Sequence, residues 1–502
     1  VSEPAESAKR EAGGVGVNLL TLLAQASMPA FQLQISHVLG MGAYGLYSLC
    51  TSIVDPLSGI TMFGMDLATT RAVSIAHAEG DPERAARATG GSLRVVVASG
   101  VIVALCIALA APFIAARKHD PALVAPLRML ALMPIGYHVA SVFLIATQAK
   151  MVMKFDFWAR GLFQPLALLA LATAAMHLGG GVLGVCAAVV AAMTLTAVLA
   201  ARFFGQEFPL GVALRAAWRQ PVDRALLRMG APMVVLGLVW NLQGAVDLWA
   251  LAGSDTDVAA YKACLIWVVS LSQVRNTFAP VISATLPPLL ARNDVAAVNA
   301  FIRRQNRWVA LLAMPLCVLF AGFGEGLLYV FGRDFLIGVP ALAILAVGNL
   351  AGALAVPAYV LLLGGKARYS TLAGASCLIF QLVSLPVLVP RYGITGAALA
   401  SASGMVLSQI VQQGFTWRLT RVHGFSVGLA KVFAAALAGL VVGRLVYAAL
   451  PALIPVRFLG GVAVAAVVYL ATLVALGLHP DEVDVARSAL GKVRELTARL
   501  RR

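Results

Sequence analysis

The sequence predicts an all-α polytopic membrane protein of about fourteen transmembrane helices, built as two six-helix bundles of like orientation followed by two further helices. Three observations predict it. Hydrophobic residues make up 60% of the 502-residue chain and charged residues 12%, with mean hydropathy +0.88, whereas a soluble globular domain is usually about a quarter charged. The apolar residues come in runs of the length a hydrocarbon core demands, about 20 residues per helix. Short stretches of the first half also recur, in the same order, in the second.

The runs lie at 15–38, 43–68, 93–116, 122–149, 156–178 and 181–204, then at 229–252, 258–284, 308–331, 336–364, 369–390 and 394–417, and finally at 426–450 and 457–478. Pro29 and Pro56 are expected to kink the first two helices, and Pro280, Pro287 and Pro288 to interrupt the end of the eighth. An even number of spans puts both termini on one side. With the N-terminus inside, the cytoplasmic segments hold most of the 38 Lys and Arg residues, while the opposite loops hold Arg117, Lys118, Arg333, Arg391 and Arg457, so both termini are expected to be cytoplasmic. The net charge of +16 then signals topology and attraction to anionic lipid rather than nucleic acid.

Amphipathic stretches at 72–92, at 207–228 and in the tail 479–502 are expected to lie on the inner leaflet. No connection is long enough for an extramembrane domain. The N-terminus lacks the order of charged, apolar and cleavage regions that marks a signal peptide. The six cysteines all fall in apolar runs without metal-ligand spacing and are expected to fill the core. The expected organisation is an N-terminal bundle over 1–206, a C-terminal bundle over 207–424 that opens with the linker 207–228, two additional spans over 425–478, and a cytoplasmic amphipathic tail over 479–502.

The duplication is carried by three matches. "GMGAYGLYSLC" (40–50) recurs as "DTDVAAYKACL" (255–265), with Tyr44 opposite Tyr261. "HAEGDPERAAR" (77–87) corresponds to "LARNDVAAVNA" (290–300), and "GGVLGVCAAVVAAMTL" (180–195) to "YGITGAALASASGMVL" (392–407), which aligns Gly181 with Gly393 and Gly184 with Gly396. Because six is even, the halves share one orientation and are related by an axis along the membrane normal.

Polar residues concentrate in the first two helices of each half. Asn18, Thr21, Gln25, Gln32 and Ser36 share a face of the first, and Tyr44, Ser48, Thr51, Asp55, Ser58 and Asp66 a face of the second. Trp240, Gln243 and Asp247 align on the seventh with Asn241 off that face, and Lys262, Gln273, Asn276 and Thr277 on the eighth with Arg275 pointing elsewhere. Neutral side chains of this kind also hold helices together. A charge near mid-membrane is different, because it costs about 3 kcal/mol, so Asp55, Asp247, Lys262 and Arg275 point to a watery cavity or to mutual pairing. Arg128 and Arg444 are explained equally well by snorkelling to an interface. Glu325 is placed at an outer gate or at the surface. Asp66 is expected either to help close the cytoplasmic gate, with Arg71 anchoring the same helix end near lipid phosphates, or to pair at the helix end with no role in transport.

Four stretches carry a family resemblance: "HVLGMGAYGLYSL" (37–49), "FGMDLATTRAVS" (63–74), "LLYVFGRDFLIGVPALAILAVGNL" (327–350) and "LLLGGKARYS" (361–370). In order and position over almost the whole chain they are similar to the polysaccharide exporter and Wzx-type lipid-linked oligosaccharide flippase branch of the multidrug/oligosaccharidyl-lipid/polysaccharide (MOP) superfamily. The resemblance implies a V-shaped, MATE/MurJ-like pair of six-helix bundles that works by alternating access in the bacterial inner membrane. It implies a substrate too: an undecaprenyl-diphosphate-linked glycan, moved from the cytoplasmic to the outer leaflet. The lipid II flippases of the superfamily differ in an arginine-rich first helix, since 15–36 contains no basic residue here.

On this reading Lys262 and Arg275 meet the carrier phosphates, and Asn18, Gln25, Gln32, Trp240, Asn241, Gln243, Gln273 and Asn276 line the cavity for the sugars. Asp55 and Asp247, with Asp66, Arg71 and Glu325, serve coupling or gating. No cofactor is expected; H+ or Na+ exchange through the aspartates is the expected coupling where any exists. Expected partners are the lipid-linked glycan, membrane lipids and the polysaccharide polymerase or ligase machinery, around a monomer. The chain carries no Walker A pattern. A MATE-like small-molecule or cation antiporter is the transport alternative. A membrane glycosyltransferase or polymerase would need catalytic carboxylates on a substantial outer loop, and the most polar outer loop is the short "RKHD" (117–120).

Overall fold

The computed structural model describes residues 3–150, 152–219, 234, 237–239, 241–292, 294–451 and 453–477, with the backbone alone for 3–28, 280 and 284. The described residues form helices and turns, with no strand among them. In chain order the helices are α1 (Glu3–Met62), α2 (Met65–Ala78), α3 (Pro82–Lys118), α4 (Pro121–Ala149), α5 (Lys154–His177), α6 (Gly181–Glu207), α7 (Leu210–Arg219), α8 (Val246–Ala250), α9 (Asp255–Ala291), α10 (Val295–Gly322), α11 (Gly324–Tyr329), α12 (Val339–Ala353), α13 (Ala358–Leu363), α14 (Ala367–Thr420), α15 (Val427–Ala449) and α16 (Ile454–Ala475).

Among the described residues 10 helices are long and apolar enough to cross a membrane. That is fewer than the apolar runs of the sequence. The runs at 369–390 and 394–417 continue as one 54-residue helix, α14; the run at 15–38 and most of that at 43–68 fall in α1, which is not among the ten; and the run at 229–252 lies partly outside the described residues. Each long helix bends at a glycine whose positive φ a Cβ would disfavour: Gly40 (φ 74°, ψ 168°) in α1 and Gly393 (φ 53°, ψ −131°) in α14.

The chain divides into two compact units. The first comprises Val1–Ile266, Phe331–Gly338 and Leu378–Ala400; the second comprises Trp267–Val330, Val339–Cys377 and Ser401–Arg502. In the first, Met65, Val96, Val142, Leu144 and Phe204 are fully buried between α2, α3, α4 and α6. The amphipathic α7 lies against α3 so closely that a Cβ at Gly90 would come 2.2 Å from the Ala213 carbonyl oxygen. Ala213 and Ala216 are buried there while Trp218 is 80% exposed, so the amphipathic expectation at 207–228 is seen over α7, and the rest of that stretch and the tail 478–502 lie outside the described residues. The 72–92 stretch is the end of α2, a turn and the start of α3.

In the second unit Ile282, Leu286, Ile302, Val309 and Val360 form a buried cluster. A second cluster gathers Phe323, Tyr447 and Ala465 where α15 meets α16. There a Cβ at Gly443 would lie 2.9 Å from the Gly461 carbonyl oxygen, the backbone-to-backbone approach that small residues permit in membrane helices.

The duplicated stretches have matching local geometry. Asp81 caps α3 by accepting from the Arg84 N–H, and its counterpart Asp294 caps α10 by accepting from the Ala297 N–H. Gly181 (φ 52°) and Gly393 (φ 53°) share a left-handed φ. Tyr44 and Tyr261 are both fully buried. All cysteines except Cys106 are buried.

A proline inside a helix leaves the carbonyl four residues earlier without its N–H partner, and in a membrane no water is at hand to replace it. Side chains of neighbouring helices do so here. Trp249 Nε1 donates to the Ser52 carbonyl freed by Pro56 (3.3 Å), Arg128 Nε to the Ala108 carbonyl freed by Pro112 (3.4 Å), and the Tyr469 hydroxyl to the Leu311 carbonyl freed by Pro315 (3.0 Å). Helix C-termini are treated alike. Arg444 Nη1 donates to Gly322 at the end of α10 (2.9 Å), Arg275 Nη1 to Gly352 near the end of α12 (2.8 Å) and Lys366 Nζ to Leu419 near the end of α14 (3.4 Å). Cations suit these positions because the helix dipole is negative there.

Candidate functional site

The second axial segment of α1 presents Tyr47, Thr51, Asp55 and Ser58 at the three- and four-residue spacing that keeps side chains on one face. That face borders a cavity of about 410 Å³ in the first unit. Phe31 and Gln32 of α1 join it across the Gly40 bend, and the buried Tyr44 hydroxyl donates to Gln32 Oε1 (3.1 Å), fixing the amide at the cavity edge. From α4 come Met133, Pro134 and Tyr137, from α5 Gln164, from α6 Val189 and Met193, and beyond them Asn241 and Lys262.

Gln164 comes directly after a π-helical segment, Phe157–Phe163, inside α5. Such a bulge inserts an extra residue into the turn and re-aims the side chains beyond it; Gln164 is 4% exposed, and its Oε1 has no hydrogen-bond partner among the described residues. The bulge also carries Arg160, whose Nε donates to Asp156 Oδ1 (2.7 Å) and whose Nη1 donates to Ser141 Oγ (3.4 Å). Asn241 donates through Nδ2 to the Gly237 carbonyl (2.8 Å) and lies where a Cβ on Gly59 would come 3.0 Å from it.

Asp55 and Lys262 are the charged groups of this wall. Among the described residues neither side chain makes a hydrogen bond or an ion pair, so both face the cavity without a direct partner, each within the other's field but not in contact. Around them stand hydroxyls and amides from Gln32, Thr51, Ser58, Tyr137, Gln164 and Asn241. The arrangement offers one cation for an anionic group, one carboxylate for a cation or proton, and neutral donors and acceptors at several depths for polyhydroxylated ligands.

Of the residues singled out from the sequence, the structure brings Gln32, Asp55, Asn241 and Lys262 to one cavity. Asp247 is 1% exposed and accepts from the Tyr261 hydroxyl (2.8 Å). The Gln243 carbonyl accepts from Gln381 Nε2 (3.2 Å). Gln273, Arg275 and Asn276 belong to the second unit. There Asn276 Nδ2 donates to Gln273 Oε1 (3.0 Å), while Arg275 caps α12. Glu325 accepts from Arg444 Nη1 through both oxygens (3.1 Å each). The side chains of Asn18 and Gln25, and Trp240 entirely, lie outside the described residues.

Asp66 does not continue the stripe of Asp55. The helix ends at Met62, Phe63 (φ 49°) and Gly64 (φ 65°) take the left-handed conformation, and Asp66 starts the new helix α2. An acid in a first helical turn is favoured by the dipole, and both Asp66 and Arg71 are exposed.

Tyr47, Tyr137 and Gln164 were not legible as site residues. Tyr47 shares the face of Thr51 and Asp55, but an aromatic at that spacing is equally what a packed core shows; Tyr137 is alone on an apolar helix, and the π bulge hides the register of Gln164.

A family model described as polysaccharide biosynthesis protein matches residues 14–294. A search among curated proteins finds no significant match. Solved structures match over most of the chain. The lipid II flippase MurJ in an inward closed conformation has TM-score 0.71 at 12% identity, covering 91% of this chain and 97% of that one. An inward-facing multidrug resistance MATE family transporter of the MOP superfamily has TM-score 0.62 at 15% identity, covering 80% and 94%. A MOP superfamily transporter from Pyrococcus furiosus, noted for the reverse polarity of its binding pocket, has TM-score 0.60 at 14% identity, covering 80% and 94%. At these identities the likeness is one of fold.

Proposed function

The chain belongs to the polysaccharide biosynthesis protein family and has the fold of MOP-superfamily flippases and transporters, and from that premise we propose that it moves an undecaprenyl-diphosphate-linked oligosaccharide from the cytoplasmic to the outer leaflet by alternating access. The observation that carries the proposal is the cavity in which Lys262 stands among hydroxyl and amide groups with no ion-pair partner among the described residues. Lys262 takes a carrier phosphate as a charge-assisted donor. Gln32, Thr51, Ser58, Tyr137, Gln164 and Asn241 exchange hydrogen bonds with sugar hydroxyls, and the polyprenyl tail stays in lipid. No bond of the substrate is made or broken, so the protein acts as a transporter and not as an enzyme.

The proposed setting is the bacterial inner membrane with both termini cytoplasmic, where the basic segments meet the anionic leaflet. The glycan delivered outside is an O-antigen, capsule or exopolysaccharide repeat unit for a polymerase or ligase. The test is mass spectrometry of lipids from cells depleted of the protein, with surface labelling of spheroplasts to report the leaflet. Diphosphate-polyprenyl oligosaccharide accumulating on the inner leaflet is the expected result. Unchanged lipid-linked sugars overturn it.

One observation favours a second reading. On the same wall Asp55 carries a carboxylate that forms no ion pair among the described residues, as a proton- or cation-coupled small-molecule antiporter requires. On that reading Asp55→Asn abolishes ion-driven efflux in vesicles while lipid-linked sugars are unaffected by depletion.

A further inference from the structure

Three arginines lie close together on the N-terminal half of α10, Arg303, Arg304 and Arg307, and all border one cavity of about 770 Å³ in the second unit. Apart from Thr285 its other walls are apolar, with Leu289, Phe301 and Trp308 among them, and it closes against Ser426 and Gly428 at the start of α15. An adjoining cavity of about 750 Å³ shares Arg303 and Ser426 and is walled by Phe425, Val427 and Phe433.

The arginine face is held in place. Asn299 Nδ2 donates to the Arg421 carbonyl (3.2 Å), Asn299 Oδ1 accepts from the His423 N–H (3.1 Å), and Asn306 Nδ2 donates to the Gly424 carbonyl (3.2 Å). Residues 299, 303 and 306 share one face of α10, so the loop between α14 and α15 is fastened along that stripe at both ends. Arg303 meets it in the middle through a hydrogen bond to His423.

This is a surplus of donors. Arg303 Nε and His423 Nδ1 are buried with no hydrogen-bond partner among the described residues. The Arg307 guanidinium packs so closely on the first turn of α15 that a Cβ at Gly428 would lie 2.3 Å from its Nη1. The N-terminal end of that 23-residue helix carries the positive pole of its dipole, so cations and dipole converge on the same spot. An anion in the cavity meets the guanidinium groups that line it and the positive pole of α15, and the apolar walls beside it suit acyl chains.

We propose that this cavity is a binding site for the phosphate headgroup of an anionic phospholipid of the surrounding membrane, with its acyl chains along Leu289, Phe301 and Trp308. The site shares no residue with the transport cavity and does not depend on the identity of the transported substrate. In the proposed topology it faces the inner leaflet, where basic pockets between helices take such headgroups.

The full chain is purified in mild detergent, and the affinity for phosphatidylglycerol, for phosphatidylcholine and for inorganic phosphate is measured by native mass spectrometry and by the shift of the thermal midpoint. Phosphatidylglycerol is expected to bind in preference to the other two. Each arginine near an anionic headgroup contributes about a fivefold preference, so Arg304→Gln lowers phosphatidylglycerol affinity about fivefold and the Arg303→Gln/Arg304→Gln double variant about 25-fold, with phosphatidylcholine unchanged. Arg304 is exposed, so its single variant tests the site even where the double variant fails to fold. Arg202→Gln, an exposed cation of the first unit, is expected to change nothing. Equal binding of the two phospholipids, inorganic phosphate binding as tightly as the lipid, unaltered affinity in Arg304→Gln, or an equal loss in Arg202→Gln overturns the assignment.

Discussion

Lys262 and Asp55 stand out from the other charges of the membrane region because, among the described residues, no protein group pairs with either. Arg275, which looks equivalent in the sequence, already serves the Gly352 carbonyl, and Arg128 and Arg444 serve Ala108 and Gly322. The proposed substrate contact therefore rests on Lys262. Lys262→Gln is expected to lower translocation about 10- to 100-fold, the worth of one charge-assisted hydrogen bond, with the thermal midpoint little changed; leaflet-resolved quantification of lipid-linked glycan in complemented cells measures it. Gly45 illustrates the opposite kind of residue, important for room alone. A Cβ there would stand 1.9 Å from the Asp255 carbonyl oxygen, next to the ion pair of Asp255 with Lys118. Gly45→Ala is expected to destabilise by about 1–3 kcal/mol, as overpacking does, seen as a lower midpoint in detergent whether or not substrate is present.

Helices in this protein bend where a proline or a glycine makes bending cheap, and carbonyls freed by prolines are met by side chains from other helices. Pro315, Leu311 and Tyr469 give the cleanest case, since the Tyr469 hydroxyl reaches the Leu311 carbonyl at 3.0 Å. A double-mutant cycle tests it. Tyr469→Phe is expected to cost about 0.6–1.5 kcal/mol in the parent, the range for one interhelical hydrogen bond. In a Pro315→Ala background the same change should cost less, because the backbone N–H restored by the alanine can take the carbonyl. Equal costs in both backgrounds would show that the hydroxyl does not act through the proline-freed carbonyl. The Gly393 bend makes a second test within one helix. Its φ of 53° and ψ of −131° strain any residue with a Cβ, so Gly393→Ala is expected to lower stability by about 1–3 kcal/mol, measurable by thermal unfolding.

At the scale of the whole molecule the proposed transport reaction carries charge. An inside-negative membrane does work of about 2.3 kcal/mol per charge per 100 mV, and an anionic headgroup moving outward is driven by that field. Collapsing the potential with the pH gradient left intact is expected to suppress export of the lipid-linked glycan in inverted vesicles or spheroplasts. Full export under those conditions would exclude electrical drive and move attention to ion exchange at Asp55. The MurJ and MATE structures share the fold at 12% and 15% identity, so the fold is compatible with substrates of different chemistry, and the side chains of the cavity must decide among them.

The sequence by itself determined the membrane class, the order of the spans and the internal duplication. These properties are local: hydropathy sums over a window about as long as the bilayer is thick, and the matched Asp81 and Asp294 caps need only residues three positions away. It also determined part of the site, because Thr51, Asp55 and Ser58 share a face of one regular helix. Only the tertiary structure decided which charges are available. Whether a basic side chain caps a distant carbonyl, as Arg275 does 77 positions away, or faces a cavity, as Lys262 does, depends on which helix packs beside it, and no periodicity along the chain records that. Tyr137 and Gln164 escaped for the same reason, the latter because a π bulge shifts the register by which a face is read. The left-handed turn at Phe63 and Gly64 likewise separated Asp66 from the stripe of Asp55, since a stripe extrapolated at about 100° per residue holds only while the helix does.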